Sequence, residues 1–193
     1  MAIGALPSVA ACASSDDGRA LRLPDPDQTT TTAPTSLPAT TVAPLVLSSA
    51  TLAEGGEFPV DNTCRGRDVS PPLQWTGVPS GTVELAVVVR DVDAGGSVHW
   101  VIAGLTSDVG GLAEGTAPTG AVEATNDFGG PGWAGPCPVT GAHNYEIRLY
   151  ALSQPTGVTA GQPGAAAAAQ VEATPALMSA VLSARATALN PAP

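Results

Sequence analysis

Hydrophobic and polar positions along the chain predict a succession of short strands. A first short apolar run begins near Leu45, and residues 83–90 are almost continuously apolar, which is typical of a strand buried on both faces. Residues 98–105 form a second run of this kind. In a third run, residues 144–152, every second residue is apolar, so one face of that strand is predicted to be buried. Clusters of Gly, Pro and Asp separate the runs, and the domain is therefore predicted to be mostly β.

The alanine-rich segment of residues 163–189 is the part of the chain that we predict to be helical. Pro175 divides this segment. Because proline is tolerated in the first turn of a helix, the pattern predicts two C-terminal helices, the second of which opens at Pro175. The order of the strands in a sheet does not follow from these patterns.

The N-terminal residues have the character of a processing signal and a tether. Residues 1–12 are apolar and end in V-A-A-C, which resembles a bacterial lipobox whose cysteine, here Cys12, is lipidated. The apolar run is short and no Lys or Arg precedes it, so we predict a truncated signal peptide. Residues 13–44 are rich in Thr and Pro and predict a disordered linker. The folded domain, residues 45–193, is then exported and held at the outer face of a bacterial cell membrane.

Composition narrows the class of partner. The net charge is −10 and the isoelectric point is near 4.3, which argues against a nucleic-acid partner because such proteins need a basic surface. Charged residues make up only 12% of the chain, while Gly and Pro number 22 and 19, a balance that favours strands and loops over amphipathic helices.

The cysteines agree with export. If Cys12 carries lipid, Cys64 and Cys137 remain, and an exported domain allows them to form one disulfide. Two buried free thiols are the alternative.

Polar residues that could carry chemistry lie at the ends of the predicted strands. Asp91 and Asp93 follow the first buried run and share one side if the chain is still extended there. His99 opens the next strand, and His143 and Tyr145 open the alternating one, after a loop rich in Gly and Pro. Strand ends beside rigid loops are common places for a site. Metal binding, acid–base chemistry and anion binding are all open to these residues, whereas the G-x-S-x-G motif of acyl transfer is missing from the sequence.

Five motifs follow one another along the chain: C-R-G-R-D-V-S-P-P-L-Q-W at 64–75, D-V-D-A at 91–94, H-W at 99–100, N-D-F-G at 126–129 and G-P-C-P-V-T-G-A-H-N-Y at 135–145. Taken together, they resemble the phosphatidylethanolamine-binding protein family, in its bacterial Raf-kinase-inhibitor-like branch. The resemblance extends over most of residues 45–153. Two departures are Val92 and Val139, each of which stands where the family has a proline.

The resemblance implies both a fold and a pocket. The fold has a large antiparallel sheet packed on a smaller sheet, with C-terminal helices. The pocket takes a small anion or a phospholipid head group, so the resemblance implies a binding protein that is not an enzyme and needs no cofactor. The ligand-binding residues that it implies are Asp91, His99, Pro136, Pro138, His143 and Tyr145, with Asp93 beside them.

Two other functions remain open at this stage. One is inhibition of a protease or kinase through protein contacts, as the family resemblance suggests. For a domain outside the cell an extracellular protease is the better target. The other is a cryptic metal-assisted hydrolase that uses Asp91, Asp93, His99 and His143.

Overall fold

The computed structural model describes residues 43–188. The predicted signal peptide, including the proposed lipidation site Cys12, and the linker up to residue 42 lie outside the described residues. The described chain forms two sheets and one α-helix. The elements are β1 (Val46–Ser48), β2 (Gly56–Glu57), β3 (Leu73–Thr76), β4 (Glu84–Asp91), β5 (Ser97–Leu105), β6 (Gly111–Leu112), β7 (Val122–Glu123), β8 (Ala142–Leu152), α1 (Gly164–Ala173) and β9 (Ala176–Thr187).

The larger sheet has six strands in the order β2-β9-β8-β4-β5-β7, and the smaller sheet has three in the order β1-β3-β6. The predicted combination of a large and a small sheet is confirmed. The large sheet is not purely antiparallel as predicted, because β2 pairs in parallel with β9, so the sheet is mixed. Hydrophobic periodicity carries no information on strand direction, which is why this pairing could not be predicted from it.

Both faces of strand β4 are covered, which explains the continuous apolar run in its sequence. Leu85, Val87 and Val89 belong to the core between the two sheets. Ala86 and Val88 belong to a second core, between the large sheet and α1. The prediction of a strand buried on both faces is confirmed, and the helix is the layer that covers the second face.

The prediction of a second C-terminal helix is wrong. Helix α1 ends at Ala173, Thr174 is extended with ψ of 134°, and Pro175 precedes the long strand β9. A residue before proline is disfavoured in the helical region, so Pro175 terminates a helix here instead of opening one. Beyond it, Leu182, Ala184 and Ala186 alternate with polar residues and are buried in the core between the sheets. Pairing with β8 along the whole strand overrides the helical propensity of the alanines.

No helix within residues 43–188 is long and apolar enough to cross a membrane.

Candidate functional site

The sheet topology brings the predicted site residues together at one end of three strands. Strand β4 runs antiparallel to both β5 and β8, so its last residues lie between the first residues of its two neighbours. Asp91 is paired with Ser97 on one side and with Tyr145 on the other. Two residues further along β5 lies His99, and two residues before Tyr145 lies His143.

A small cavity of about 140 Å³ opens at this end of the sheet. Five of the seven predicted ligand-binding residues line it. The lining consists of Asp91, Ala94, Ser97, His99, Phe128, Cys137, Pro138, Val139, His143 and Tyr145.

The carboxylate of Asp91 is the centre of the polar network in this cavity. The side chain is buried, and its Oδ1 accepts the N–H groups of Asp93 and Ala94 at 3.0 and 2.9 Å. Its Oδ2 lies 2.7 Å from Nδ1 of His143. Burial alone would raise the pKa of Asp91, but hydrogen bonds from His143, Tyr145 and the two backbone N–H groups outweigh it, and the pKa is lowered. Asp91 therefore stays ionised and its charge is compensated by its donors.

The two histidines are held in the same tautomer by different acceptors. His143 donates its Nδ1–H to Asp91, and His99 donates its Nδ1–H to the carbonyl oxygen of Ala134 at 2.7 Å. Within the described residues neither Nε2 has a hydrogen-bond partner, so each ring keeps this nitrogen for a ligand. Burial lowers the pKa of His99, although the carbonyl of Ala134 and nearby carboxylates oppose that effect.

Aromatic rings fix the position of His99. Its ring meets the ring of Tyr145 edge-on, with centroids 5.2 Å apart, and the ring of Phe128 packs on it at 4.6 Å. Burial, together with the neighbouring carboxylate of Asp91, raises the pKa of the Tyr145 phenol, so Tyr145 remains protonated. The sequence prediction did not include Phe128. It lies in the N-D-F-G motif, so the motif was the signal for it.

The N-D-F-G motif shapes the loop that carries Phe128. Oδ1 of Asn126 accepts the N–H groups of Phe128 and Gly130, and its Nδ2 donates to the carbonyl oxygen of Gly132. Oδ2 of Asp127 accepts the N–H of Val98 at 2.8 Å. The first two residues of the motif are therefore structural: they hold the loop against the start of β5.

The Gly/Pro-rich loop forms one wall of the cavity and is fastened from behind. A disulfide joins Cys64 to Cys137, with the Cα atoms 5.5 Å apart, so the predicted pairing is present in the structure. The N–H of Gly135 donates to Oδ1 of Asp68 at 2.6 Å, and the N–H of Cys64 donates to the carbonyl oxygen of Pro136 at 3.3 Å. These contacts hold the wall against the segment that contains Cys64.

Gly135 permits this close approach, which predicts the effect of enlarging it. A Cβ atom at Gly135 would lie 2.7 Å from backbone atoms of Thr63 and 2.6 Å from Asp68, so the two segments must separate. We expect Gly135→Ala to lower the unfolding free energy by about 1–3 kcal/mol, measured by chemical denaturation. Gly110→Ala is the matched control, because a Cβ there meets nothing within 4 Å, and its effect should stay within about 0.5 kcal/mol. Equal effects of the two substitutions would contradict this account of the loop.

Two of the predicted ligand-binding residues do not line the cavity. Asp93 is exposed, and its Oδ2 accepts the backbone N–H and the Nδ2–H of Asn144 at 2.7 and 2.8 Å. The chain turns immediately after Asp91, so the two carboxylates do not share one side as an extended chain would require. Pro136 is buried behind the wall, where it contributes its carbonyl oxygen. Among residues 43–188, no group of three or more His, Cys, Asp and Glu side chains is arranged to hold a metal ion.

A second cavity, of about 220 Å³, lies on the Trp133 side of the same loop. Its lining includes Asp68, Ser70, Glu123 and Trp133 but no histidine or arginine. Oε1 of Glu123 already accepts a hydrogen bond from the indole N–H of Trp100 at 2.7 Å. The second cavity is larger, but the imidazoles, the ionised carboxylate and the phenol are gathered in the first, so the first is the candidate site.

Comparison with known proteins agrees with the two-sheet fold described above. The family profile described as phosphatidylethanolamine-binding protein matches residues 48–190. LppC of Mycobacterium tuberculosis, a candidate lipoprotein by name, is 41% identical over 146 residues, which cover 72% of this chain and 72% of LppC.

Two solved structures have the same fold. The crystal structure of YbcL from Escherichia coli, described as a member of the mammalian PEBP family, superposes with a TM-score of 0.71 at 28% identity, covering 77% of this chain and all of YbcL. A homologue from Chlamydia trachomatis, CT736, superposes with a TM-score of 0.66 at 27% identity, covering 74% of this chain and 96% of CT736.

Proposed function

The chain belongs to the phosphatidylethanolamine-binding protein family, and from that premise we propose that it is a non-enzymatic binding protein for a small anion, either free or as the phosphate of a phospholipid head group. The observation that carries the proposal is the shared tautomer of the two histidines. Each gives its Nδ1–H to a protein acceptor and keeps Nε2 for a ligand. When a ring is protonated, Nε2 becomes a charged donor suited to an anionic oxygen.

The surroundings of Asp91 support an anionic ligand, even though a carboxylate would ordinarily repel one. Both of its oxygens already accept hydrogen bonds from the protein. Hydrogen bonds from the protein therefore compensate its charge, and the carboxylate orients His143 and the turn after β4. The volume of about 140 Å³ fits a phosphate-sized group and excludes a drug-sized molecule.

The hydroxyl groups of the cavity support binding over catalysis. The Oγ–H of Ser97 donates to the carbonyl oxygen of Ala94 at 2.8 Å, so it is engaged with the backbone and not with either histidine. A serine nucleophile requires a base within hydrogen-bond distance. The raised pKa of Tyr145 keeps its phenol protonated, so this group cannot accept a proton as a general base.

Membrane attachment is the second part of the proposal. The V-A-A-C sequence that ends at Cys12 resembles a lipobox, and the similar protein LppC is named as a candidate lipoprotein. We infer that Cys12 carries lipid and that the Thr/Pro-rich linker holds the domain at the outer face of a bacterial cell membrane.

Calorimetric titration with glycerophosphoethanolamine tests the pocket, because the phosphodiester of this probe does not titrate near neutral pH. Since Nε2 carries a hydrogen only in a protonated ring, binding should take up a proton and should strengthen as the pH falls. Because burial lowers the pKa of His99, this strengthening should continue below the pH at which an ordinary histidine is protonated. We expect His143→Ala to weaken binding about tenfold or more, since a charge-assisted hydrogen bond is lost.

Thr159→Ala, an exposed position outside the cavity, is the control and should bind as the unchanged protein does. Absence of binding of both inorganic phosphate and glycerophosphoethanolamine by the unchanged protein from acid to neutral pH would refute the proposed function. So would equal affinities of the unchanged protein and His143→Ala.

A further inference from the structure

The second cavity, of about 220 Å³, collects hydrogen-bond acceptors that the protein itself leaves free. Oδ1 of Asp68 accepts the N–H of Gly135, but Oδ2 has no donor in the described part of the chain. Oε1 of Glu123 accepts the indole N–H of Trp100, and Oε2 is likewise without a described donor. Neither carboxylate forms an ion pair with a described residue. Two negative charges that no cation of this part of the protein neutralises therefore line the cavity.

Ser70 is an independent sign that a ligand enters this cavity. The residue is only 4% exposed, and it lines the cavity. Its carbonyl oxygen accepts the N–H of Gly115 at 3.0 Å, which fixes its backbone, whereas its hydroxyl makes no hydrogen bond to any described residue. A buried hydroxyl without a partner is unfavourable. Because Ser70 is covered on its other sides, a molecule inside the cavity is the partner that its hydroxyl can reach.

Trp133 restricts the chemistry of that molecule. Its indole N–H is enclosed and has no hydrogen-bond partner among the described residues, so the side chain offers the cavity ring carbons and not a donor. The face of an indole attracts a cation. No histidine or arginine lines the cavity, so no cationic side chain is present to attract an anion. The carboxylates and the indole thus both favour a positively charged ligand.

We propose that the second cavity binds a primary ammonium group. Such a group has three N–H donors, which match the free oxygens of Asp68, Glu123 and Ser70, and its charge suits the ring of Trp133. The chain contains no lysine, so none of its own side chains supplies this group. The ammonium group belongs either to a small alkylamine or to a lysine side chain of another protein. This site does not depend on the proposed anion pocket, which lies on the other side of the loop.

An NMR titration of the ¹⁵N-labelled full chain carrying Cys12→Ser tests the site. The probes are n-butylamine, which is protonated at neutral pH and carries no phosphate, its uncharged analogue n-butanol, and tetramethylammonium, whose charge has no N–H. The indole N–H of Trp100 reports occupancy, because it donates to Glu123. We expect n-butylamine to shift this resonance to saturation and n-butanol to leave it in place. Tetramethylammonium should bind about tenfold more weakly than n-butylamine, since it cannot donate to the three oxygens.

Ser70→Ala is the sharpest variant, because the hydroxyl that it removes is bonded to no described residue. Its urea denaturation midpoint should not fall, while its affinity for n-butylamine should fall about tenfold. Glu123→Gln keeps an oxygen for the indole of Trp100 but removes the charge, and it should weaken binding by a similar factor. Glu57→Gln is the matched control. Glu57 is exposed, accepts the hydroxyl of Thr187 and does not line the cavity, so this variant should bind as the unchanged protein does.

Nα-acetyl-lysine amide separates the two sources of the ammonium group. Tighter binding of this probe than of n-butylamine supports a lysine side chain, and the reverse order supports a free amine. The site is refuted if neither amine shifts the indole resonance to saturation, if tetramethylammonium binds as tightly as n-butylamine, or if Ser70→Ala binds with unchanged affinity. The proposed anion pocket is tested separately, through its dependence on His143, and stands or falls without these results.

Discussion

Removal of the Cys64–Cys137 disulfide, by reduction or by the double substitution Cys64→Ala and Cys137→Ala, is expected to lower the unfolding free energy by about 4 kcal/mol. The bond joins residues separated by 73 positions, so its loss returns a large conformational entropy to the unfolded chain. The same change releases the wall of the cavity, since Cys137 is one of the lining residues. Affinity for glycerophosphoethanolamine should therefore fall together with stability.

Urea denaturation with and without reductant measures this effect. The full chain should carry Cys12→Ser, so that the third cysteine does not contribute. Reductant added to the double alanine variant is the control and should change nothing. Detection of two free thiols at positions 64 and 137 in the purified protein under non-reducing conditions, or an unchanged denaturation midpoint on reduction, would contradict the prediction.

Asp91→Ala is expected to lower the unfolding free energy by about 3 kcal/mol, because it removes a buried, ionised acceptor of three hydrogen bonds. The N–H groups of Asp93 and Ala94 and the Nδ1–H of His143 all lose the carboxylate. Asp93→Ala is the matched comparison: that carboxylate is exposed and accepts only from Asn144, so its removal should cost less than about 1 kcal/mol.

The pH dependence of the Asp91 contribution has a defined sign. Burial would raise the pKa of Asp91, but its hydrogen bonds lower it below the ordinary value of 3.8. The stabilisation by the carboxylate is thus fully present above the pKa of the unfolded state and is lost as the pH falls through the lower pKa of the folded state. The stability difference between the unchanged protein and Asp91→Ala should be constant from neutral pH down to about 4 and should shrink below it. A difference that grows on acidification would contradict this role of Asp91.

The strands around the site were predictable because their patterns are strong. The continuous run of β4 and the alternation of β8 each permit one interpretation, and polar residues at their ends were natural candidates for a site. The patterns gave no strand order, so it was the family resemblance that grouped Asp91, His99 and His143. The structure supplies the physical reason: β4 runs antiparallel to β5 and β8, which brings its end to the starts of both neighbours.

The errors have equally specific causes. Alanine favours helix in isolation, and in the sequence this preference outweighs the weak alternation around Leu182 and Ala184. In the structure, pairing with β8 reverses that balance. Asp93 was grouped with Asp91 on the assumption of an extended chain, whereas Asp91 itself folds the turn by accepting the N–H of Asp93. Phe128 was missed because it lies in the loop of the N-D-F-G motif and not at the end of a predicted strand, where candidate residues were sought.

The position of β9 has a consequence for how the domain is made. In chain order β9 follows every other element of the described structure, yet it lies inside the large sheet, between β2 and β8. Until it emerges during synthesis, β8 presents an unpaired edge and the core residues of its face lack their cover. Strand β2, synthesised more than a hundred residues earlier, also remains unpaired until β9 is available. Chain growth therefore cannot complete this sheet step by step, and the domain closes only after its last strand has been released.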